Sequence, residues 1–411
     1  MSVAAKENPF LGTHTDLFKN KYVQSILLSA LILQSGIWIR NMAVLLYIAD
    51  RTNGSPLAVS LVAAAEYGPI FLFSFIGGTF ADRWRPKKTM VWSDMLSGIS
   101  VLSVLAALAF GIWQAIFLAL VMSSTLSQFS QPSGMKLLKK HVREEALETA
   151  ISVYQAVFAL FMAAGPVLGT LAYSKFGING AILFTAGAFF LSAAVLALIP
   201  ENHERKVEKE GLLRDMKLGF QYIWGSRGLK LLGTGFALSG LAMGLIQPMN
   251  IFLVTEKLGL SETSLQWLLM VNGIGMLTGG ALMMVFGKKW PTVQILAAGM
   301  LASAAGLSVI GFSSVLWLTL AAEFVIGFFL PAIQISIQTL IMKNTDEGFI
   351  GRVNGFLTPL FTGSMTIAIS AAGQLKRLFS LTLLFEAAAL LFFIGLLLTI
   401  PLHKWLSIQK E

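Results

Sequence analysis

Gly78-Thr-Phe-Ala-Asp82-Arg83-Trp-Arg85-Pro-Lys87-Lys88 closes one long apolar run, and Gly280-Ala-Leu-Met-Met284-Val-Phe-Gly287-Lys288-Lys289 closes another 202 residues later. Pro132 and Pro331, each inside an apolar run, are 199 residues apart. Two echoes with nearly one offset mark a two-fold internal repeat, each copy about half the chain.

Working outward from these segments, apolar runs recur along all 411 residues, at 22–48, 56–80, 90–109, 112–135, 150–174, 179–199, 229–254, 264–286, 291–312, 314–341, 353–375 and 379–400. Each is long enough as a helix to cross a hydrocarbon core of about 30 Å. Barrel strands would instead give alternating runs of about ten residues. Gly and Pro inside the runs are tolerated in membrane helices, where neighbours re-satisfy freed backbone groups. The expected fold is an all-α membrane protein of twelve transmembrane helices in two pseudo-symmetric six-helix bundles, 1–200 and 229–411. Between them lies a hydrophilic linker, 201–228, whose stretch GLLRDMKLGFQYIW has the spacing of a short interfacial amphipathic helix.

Composition agrees: 55% of residues are hydrophobic and only 12% charged, about half the charge of a soluble domain. No Cys is present, and the four His (His14, His141, His203, His403) all fall in hydrophilic segments. Thiol chemistry is excluded and no metal site is expected. The net charge of +9 is explained by topology: of the 30 Lys and Arg, five (Arg51, Lys175, Lys257, Lys376, Arg377) fall on the side opposite the termini and Arg40 inside a span. The positive-inside rule then puts both termini in the cytoplasm and removes the need for a nucleic-acid partner. The first apolar run is too long for the core of a cleavable signal peptide, about 7–15 residues, and reads as a membrane helix. There is no Walker motif, so ATP is not expected to drive the protein.

With these segments in hand, the chain resembles the major facilitator superfamily over all twelve spans. Gly78, Asp82, Arg83, Lys87 and Lys88 match the family's loop motif Gly-x-x-x-Asp-Arg-x-Gly-Arg/Lys-Arg/Lys, with Arg85-Pro86 where Gly is usual. The second copy has Met284 in place of the acid. Gly165-Pro166-Val-Leu-Gly169-Thr170 partly matches the helix-five motif Gly-x-x-x-Gly-Pro-x-x-Gly-Gly associated with proton-coupled drug exporters, Phe161 and Thr170 replacing two of its Gly. The segment from Ala81 to Lys88 followed by Ser93-Asp94, and Ile341 to Gly355, resembles the macrolide-efflux and siderophore-exporter group. The resemblance implies an alternating-access transporter of a small molecule in a bacterial inner or cytoplasmic membrane, with no enzymatic activity and no cofactor beyond protons. It implies gating by Gly78, Asp82, Arg83, Lys87, Lys88 and Asp94 together with the flexible, close-packing Gly165, Pro166 and Gly169. A monomer suffices, because the path lies between its two bundles.

Ionisable side chains inside spans are costly in lipid and mark function. Arg40 and Glu66 lie at equal depth on the first two spans, about 13–15 Å from their shared outer turn at 1.5 Å per residue, and are expected to pair. A carboxylate whose distance to a guanidinium changes with conformation can couple that change to proton uptake and release; a fixed interhelical bridge is the alternative. Glu323 on span ten is a second candidate for proton coupling, and Glu386 on span twelve is expected to bond Ser or backbone groups. Polar residues on spans one, four, five, seven, eight, ten and eleven furnish a central cavity for substrate: Gln34, Asn41, Gln128, Gln155, Gln247, Asn250, Asn272, Gln334 and Asn354, with Trp38 and Trp267 as aromatic walls. Such a lining suits a bulky apolar or amphipathic compound, expelled in exchange for protons. A siderophore, a lipid or another metabolite, or facilitation without proton coupling, fits the same residues.

Overall fold

The structure, a computed structural model, describes residues 19–200, 212–346 and 349–408, and within them the side chains other than 74–83, 144, 145, 148, 212–216, 288 and 403–408. The described chain is helical throughout. Helix α1 (Lys21–Arg51) starts at Asn20, whose side chain caps the Tyr22 amide at 2.9 Å and donates to the His141 carbonyl at 2.7 Å. It is followed by α2 (Pro56–Arg83), α3 (Pro86–Ala109) and α4 (Ala115–His141). Pro86 opens α3 at a position where a missing N–H costs nothing. The next run, α5 (Glu144–Ala197), holds 54 residues and is broken at Gly177, whose φ of 63° lies in the left-handed region. Its two arms run from 144 to 176 and from 178 to 197.

The linker contributes α6 (Leu212–Gly225). This helix docks on the second half: Phe220 packs on Phe356, Tyr222 stacks on Phe349, and the Tyr222 hydroxyl donates to Asp346 at 3.0 Å. Ser226 caps α7 (Arg227–Ile246). Past Ile246 the helix loosens into a 3₁₀ turn (Gln247–Met249) around Pro248, a short α turn (Asn250–Phe252) and a π turn (Leu253–Lys257). Then come α8 (Leu265–Phe286), α9 (Thr292–Phe312), α10 (Leu316–Lys343), α11 (Ile350–Leu378) and α12 (Leu381–Ile408).

Ten described stretches are long and apolar enough to cross a membrane. One, Thr149–Ala197, has 49 residues, about twice the length a single crossing needs. Helix α4, rich in Ser and Gln, is not among the ten.

The two halves use one packing plan. Pairs α2–α4, α3–α4 and α3–α5 in the first are matched by α8–α10, α9–α10 and α9–α12 in the second. Between halves, α2 lies along α11 and α5 along α8. In lipid this packing is driven by close van der Waals fit rather than by exclusion of water, so small residues sit at the seams. A Cβ on Gly165 would fall 2.9 Å from Trp38 Cβ, and one on Gly169 2.6 Å from Met42 Cβ. Both glycines therefore let α5 press against α1. Across the halves, Gly373 abuts Leu57 and Ser60, Gly363 abuts Phe71, and Gly273 abuts Ala163. Tyr22 and His141 stack at 3.6 Å, and the Tyr22 hydroxyl reaches the Pro200 carbonyl, so the starts and ends of these helices share one face, the terminal face. The contacts of Gly373 lie toward the opposite face, near the start of α2 and the end of α11.

Candidate functional site

A cavity of about 550 Å³ lies between the halves, walled by α1 to α5 and closed on its far side by Gln247, Pro248, Asn250, Ile251, Leu265 and Leu269. Its wall area is mostly apolar, and the lining includes one basic side chain, Arg40, and two carboxylic ones, Glu66 and Asp94.

Arg40 and Glu66 do not form a direct ion pair. Arg40 Nε and Nη2 donate to Asn41 Oδ1 at 3.1 and 2.9 Å, and Asn41 Nδ2 donates to Glu66 Oε1 at 2.6 Å. Arg40 Nη1 donates to Ser123 of α4, whose hydroxyl in turn bonds the Ala119 carbonyl. The guanidinium is thus tied to α1 and α4, and the carboxylate to α1 through an amide. The expected pairing becomes a relay, because Asn41 follows Arg40 in sequence and its amide bonds both groups.

Asp94 belongs to a second polar station. Ser192, on the second arm of α5, donates to Asp94 Oδ2 at 2.6 Å, and Ser192 and Ser29 bond at 2.8 Å. All three side chains are buried. Ser29 precedes Arg40 by eleven residues on α1, which separates the two stations by about 16 Å along the helix.

The other expected site residues divide. Gln34, Trp38, Gln128, Gln247 and Asn250 line the cavity. Gln247 Oε1 and Asn250 Oδ1 are buried without a hydrogen-bond partner. Gln155, Trp267, Asn272, Gln334 and Asn354 are not in its lining; Gln155, Trp267 and Gln334 are exposed. Neighbouring helix positions point about 100° apart, so Tyr154 takes the wall where Gln155 was expected, and Leu265 and Leu269 take it beside Trp267. Glu323 is buried at the α8–α10 seam, where Asn272 Nδ2 donates to Glu323 Oε2 at 2.9 Å and to its carbonyl at 3.2 Å. Asn272 and Glu323 thus satisfy one another away from the cavity, whose polar side chains lie chiefly on its first-half wall. Glu386 accepts from Ser308 of α9 at 2.9 Å. Gly165 and Gly169 sit at the α1–α5 seam, with Pro166 between them on α5. Lys87 and Lys88 stand in the first turn of α3. The side chains of Gly78, Asp82 and Arg83 lie outside the described residues.

Sequence reasoning missed Ser29, Ser192 and Ser123. A signal existed for α4, where Ser123, Ser127 and Gln131 recur at helical spacing and all line the cavity. Ser192 had none, because a lone Ser in an apolar span most often bonds its own backbone.

The sequence model of the Major Facilitator Superfamily matches residues 26–236 and 232–405. An uncharacterized MFS-type transporter of Bacillus subtilis (strain 168), YkuC, is 26% identical over 87% of this chain and 86% of its own. The multidrug efflux pump Tap of Mycolicibacterium fortuitum is 27% identical over 84% of this chain and 87% of its own. Among solved structures, the nucleoside transporter NupG superposes with a TM-score of 0.77 at 10% identity, covering 93% of this chain and all of that one. The POT family transporter PepTSo gives 0.72 at 12% identity, covering 95% and 99%.

Proposed function

Because the chain belongs to the major facilitator superfamily, we propose that it exports a bulky apolar or amphipathic organic compound in exchange for protons. The observation that carries this reading is the cavity itself. Its volume of about 550 Å³ suits one drug-sized organic molecule, and its largely apolar wall area is interspersed with polar side chains, most of them on α1 to α4, as an amphipathic guest requires. The likeness to an efflux pump supports the direction of transport.

In this reading α4 counts as a crossing and α5 as two, which makes twelve, with both termini cytoplasmic as the basic residues require. The seams around Gly373, Gly363 and Gly273 hold the halves together away from the terminal face, while the cavity extends toward it past Ser29 and Asp94. That is the form that loads substrate from the cytoplasm. Rocking the halves about α2–α11 and α5–α8 opens the other side. The loop motif at Gly78, Asp82, Arg83, Lys87 and Lys88 latches one of the two forms.

Coupling resides in the relay. Rotation of α1 against α2 breaks the Asn41–Glu66 bond and alters the distance from Glu66 to the guanidinium, which changes how strongly the carboxylate holds a proton. Glu323, bonded to Asn272 at the α8–α10 seam, is the reserve candidate for this role.

The test is uptake of a cationic dye and of a macrolide into inverted membrane vesicles bearing the overproduced protein. Accumulation that follows an imposed proton gradient and collapses with a protonophore supports the proposal. Accumulation of neither compound would overturn the drug reading, and accumulation indifferent to the gradient would overturn proton exchange.

A further inference from the structure

The cavity's charges do not cancel. Arg40 and Glu66 offset one another through Asn41, whereas the hydrogen-bond partner of Asp94 among the described residues is a hydroxyl: Ser192 bonds it, Ser29 bonds Ser192, and Tyr154 of α5 lines the same cavity. Among the described residues no basic side chain lies within ion-pair distance of Asp94. On its own helix the cavity-facing neighbours are Met90, Ser93 and Ser97, all uncharged. A buried carboxylate that faces a cavity and has no cation of its own is a place for a cation supplied from outside.

We infer that Asp94 is a cation-recognition station for the substrate, separate from the Arg40–Asn41–Glu66 relay, and that the compounds this protein prefers are lipophilic monocations. The station lies toward the terminal face and the relay about 16 Å deeper along α1. A cationic head held at Asp94 leaves its apolar body free to lie along Leu33, Trp38, Phe158 and Met162, which line the cavity. The relay at the deep end, its two charges offset through Asn41, offers a cation no net attraction, which leaves Asp94 to hold the head. This removes Asp94 from the latch assigned to the loop motif. The inference rests on the cavity being the substrate path and adds the charge of the substrate and the residue that reads it.

The experiment is equilibrium binding to the purified full chain in detergent, with tetraphenylphosphonium as a permanent monocation and triphenylphosphine oxide as a neutral probe of similar shape. The wild type should bind the cation more tightly. Asp94→Asn should weaken the cation by about tenfold or more, the size expected for losing one charge-assisted contact, and leave the neutral probe within twofold. Ser192→Ala keeps the carboxylate but frees it, and should weaken the cation by a smaller factor; it stands in if Asp94→Asn does not fold. Asp94→Glu should restore most of the preference. Equal losses for both probes in Asp94→Asn, or a cation preference that survives it and vanishes in Glu66→Gln, would overturn the station. A wild type that binds both probes equally would overturn it too while leaving export intact, since gradient-driven vesicle uptake tests export separately.

Discussion

Arg40 and Glu66, on adjacent helices, are joined by a third side chain and not by contact: Asn41 accepts from the guanidinium at 2.9 Å and donates to the carboxylate at 2.6 Å. An amide bridge of this kind is easier to break and remake than a buried ion pair, because separating it exposes no bare pair of charges to low dielectric at once. It therefore suits a link that must open in each transport cycle.

Asn41→Ala removes the bridge and leaves Arg40 with its Ser123 bond. Loss of a buried hydrogen-bonded link between charged groups should destabilise the protein by about 2–3 kcal/mol. Thermal unfolding in detergent should show a clear drop relative to Gln34→Ala, and vesicle uptake should fall at least severalfold. An unchanged melting temperature would mean that the relay does not hold α1 to α2.

Gly169→Leu should fail to give a monodisperse protein on size exclusion, since even a Cβ there would lie 2.6 Å from Met42 Cβ. Gly187→Ala, on the second arm of α5 with nothing within 4 Å of an added Cβ, should behave as wild type. Equal yields from the two variants would refute the close α1–α5 seam.

Because the chain has no Cys, a crosslink can be placed without background. A Cβ on Gly373 would sit 2.7 Å from Ser60 Oγ, near the reach of a disulfide, and 2.5 Å from the Pro56 carbonyl, so the start of α2 must shift slightly to admit it. Mild oxidation of Ser60→Cys/Gly373→Cys should crosslink α2 to α11 and stop transport, and reductant should restore it. Full transport by the oxidised, crosslinked protein would show that the halves need not separate on that side.

A tag at residue 1 should be unreachable by a membrane-impermeant reagent in intact cells, and a Cys placed at Arg51 should be labelled. The reverse pattern would invert the topology and with it the proposed loading side.

The architecture was legible in the sequence because lipid imposes one rule, that each crossing be a continuous apolar helix, and because a duplicated loop leaves a fixed offset. The break between the fifth and sixth apolar runs, read at 175–178, falls on Gly177. The polar wall was read only in part. Gln34 and Gln128 face the cavity, while Gln155 and Gln334 point away, since a span apolar on nearly all sides carries little periodic signal to show which face is inward. Asn272 and Glu323 were read as separate cavity groups, and their mutual bond across α8 and α10 depends on helix rotations that no local pattern encodes. Asp94 was read as a gating residue beside the loop motif, but its hydroxyl partner Ser192 is on α5, with Ser29 of α1 behind it, both far away in sequence.

The central claim is that Glu66 carries the exchanged proton, and Glu66→Gln tests it most directly in proteoliposomes loaded with a transported compound. Gradient-driven accumulation and gradient-free exchange of labelled for unlabelled compound are measured on one preparation. The variant is expected to lose accumulation while keeping exchange, which needs no net proton movement. Accumulation by Glu66→Gln equal to that of the wild type would contradict the account and shift the coupling role to Glu323.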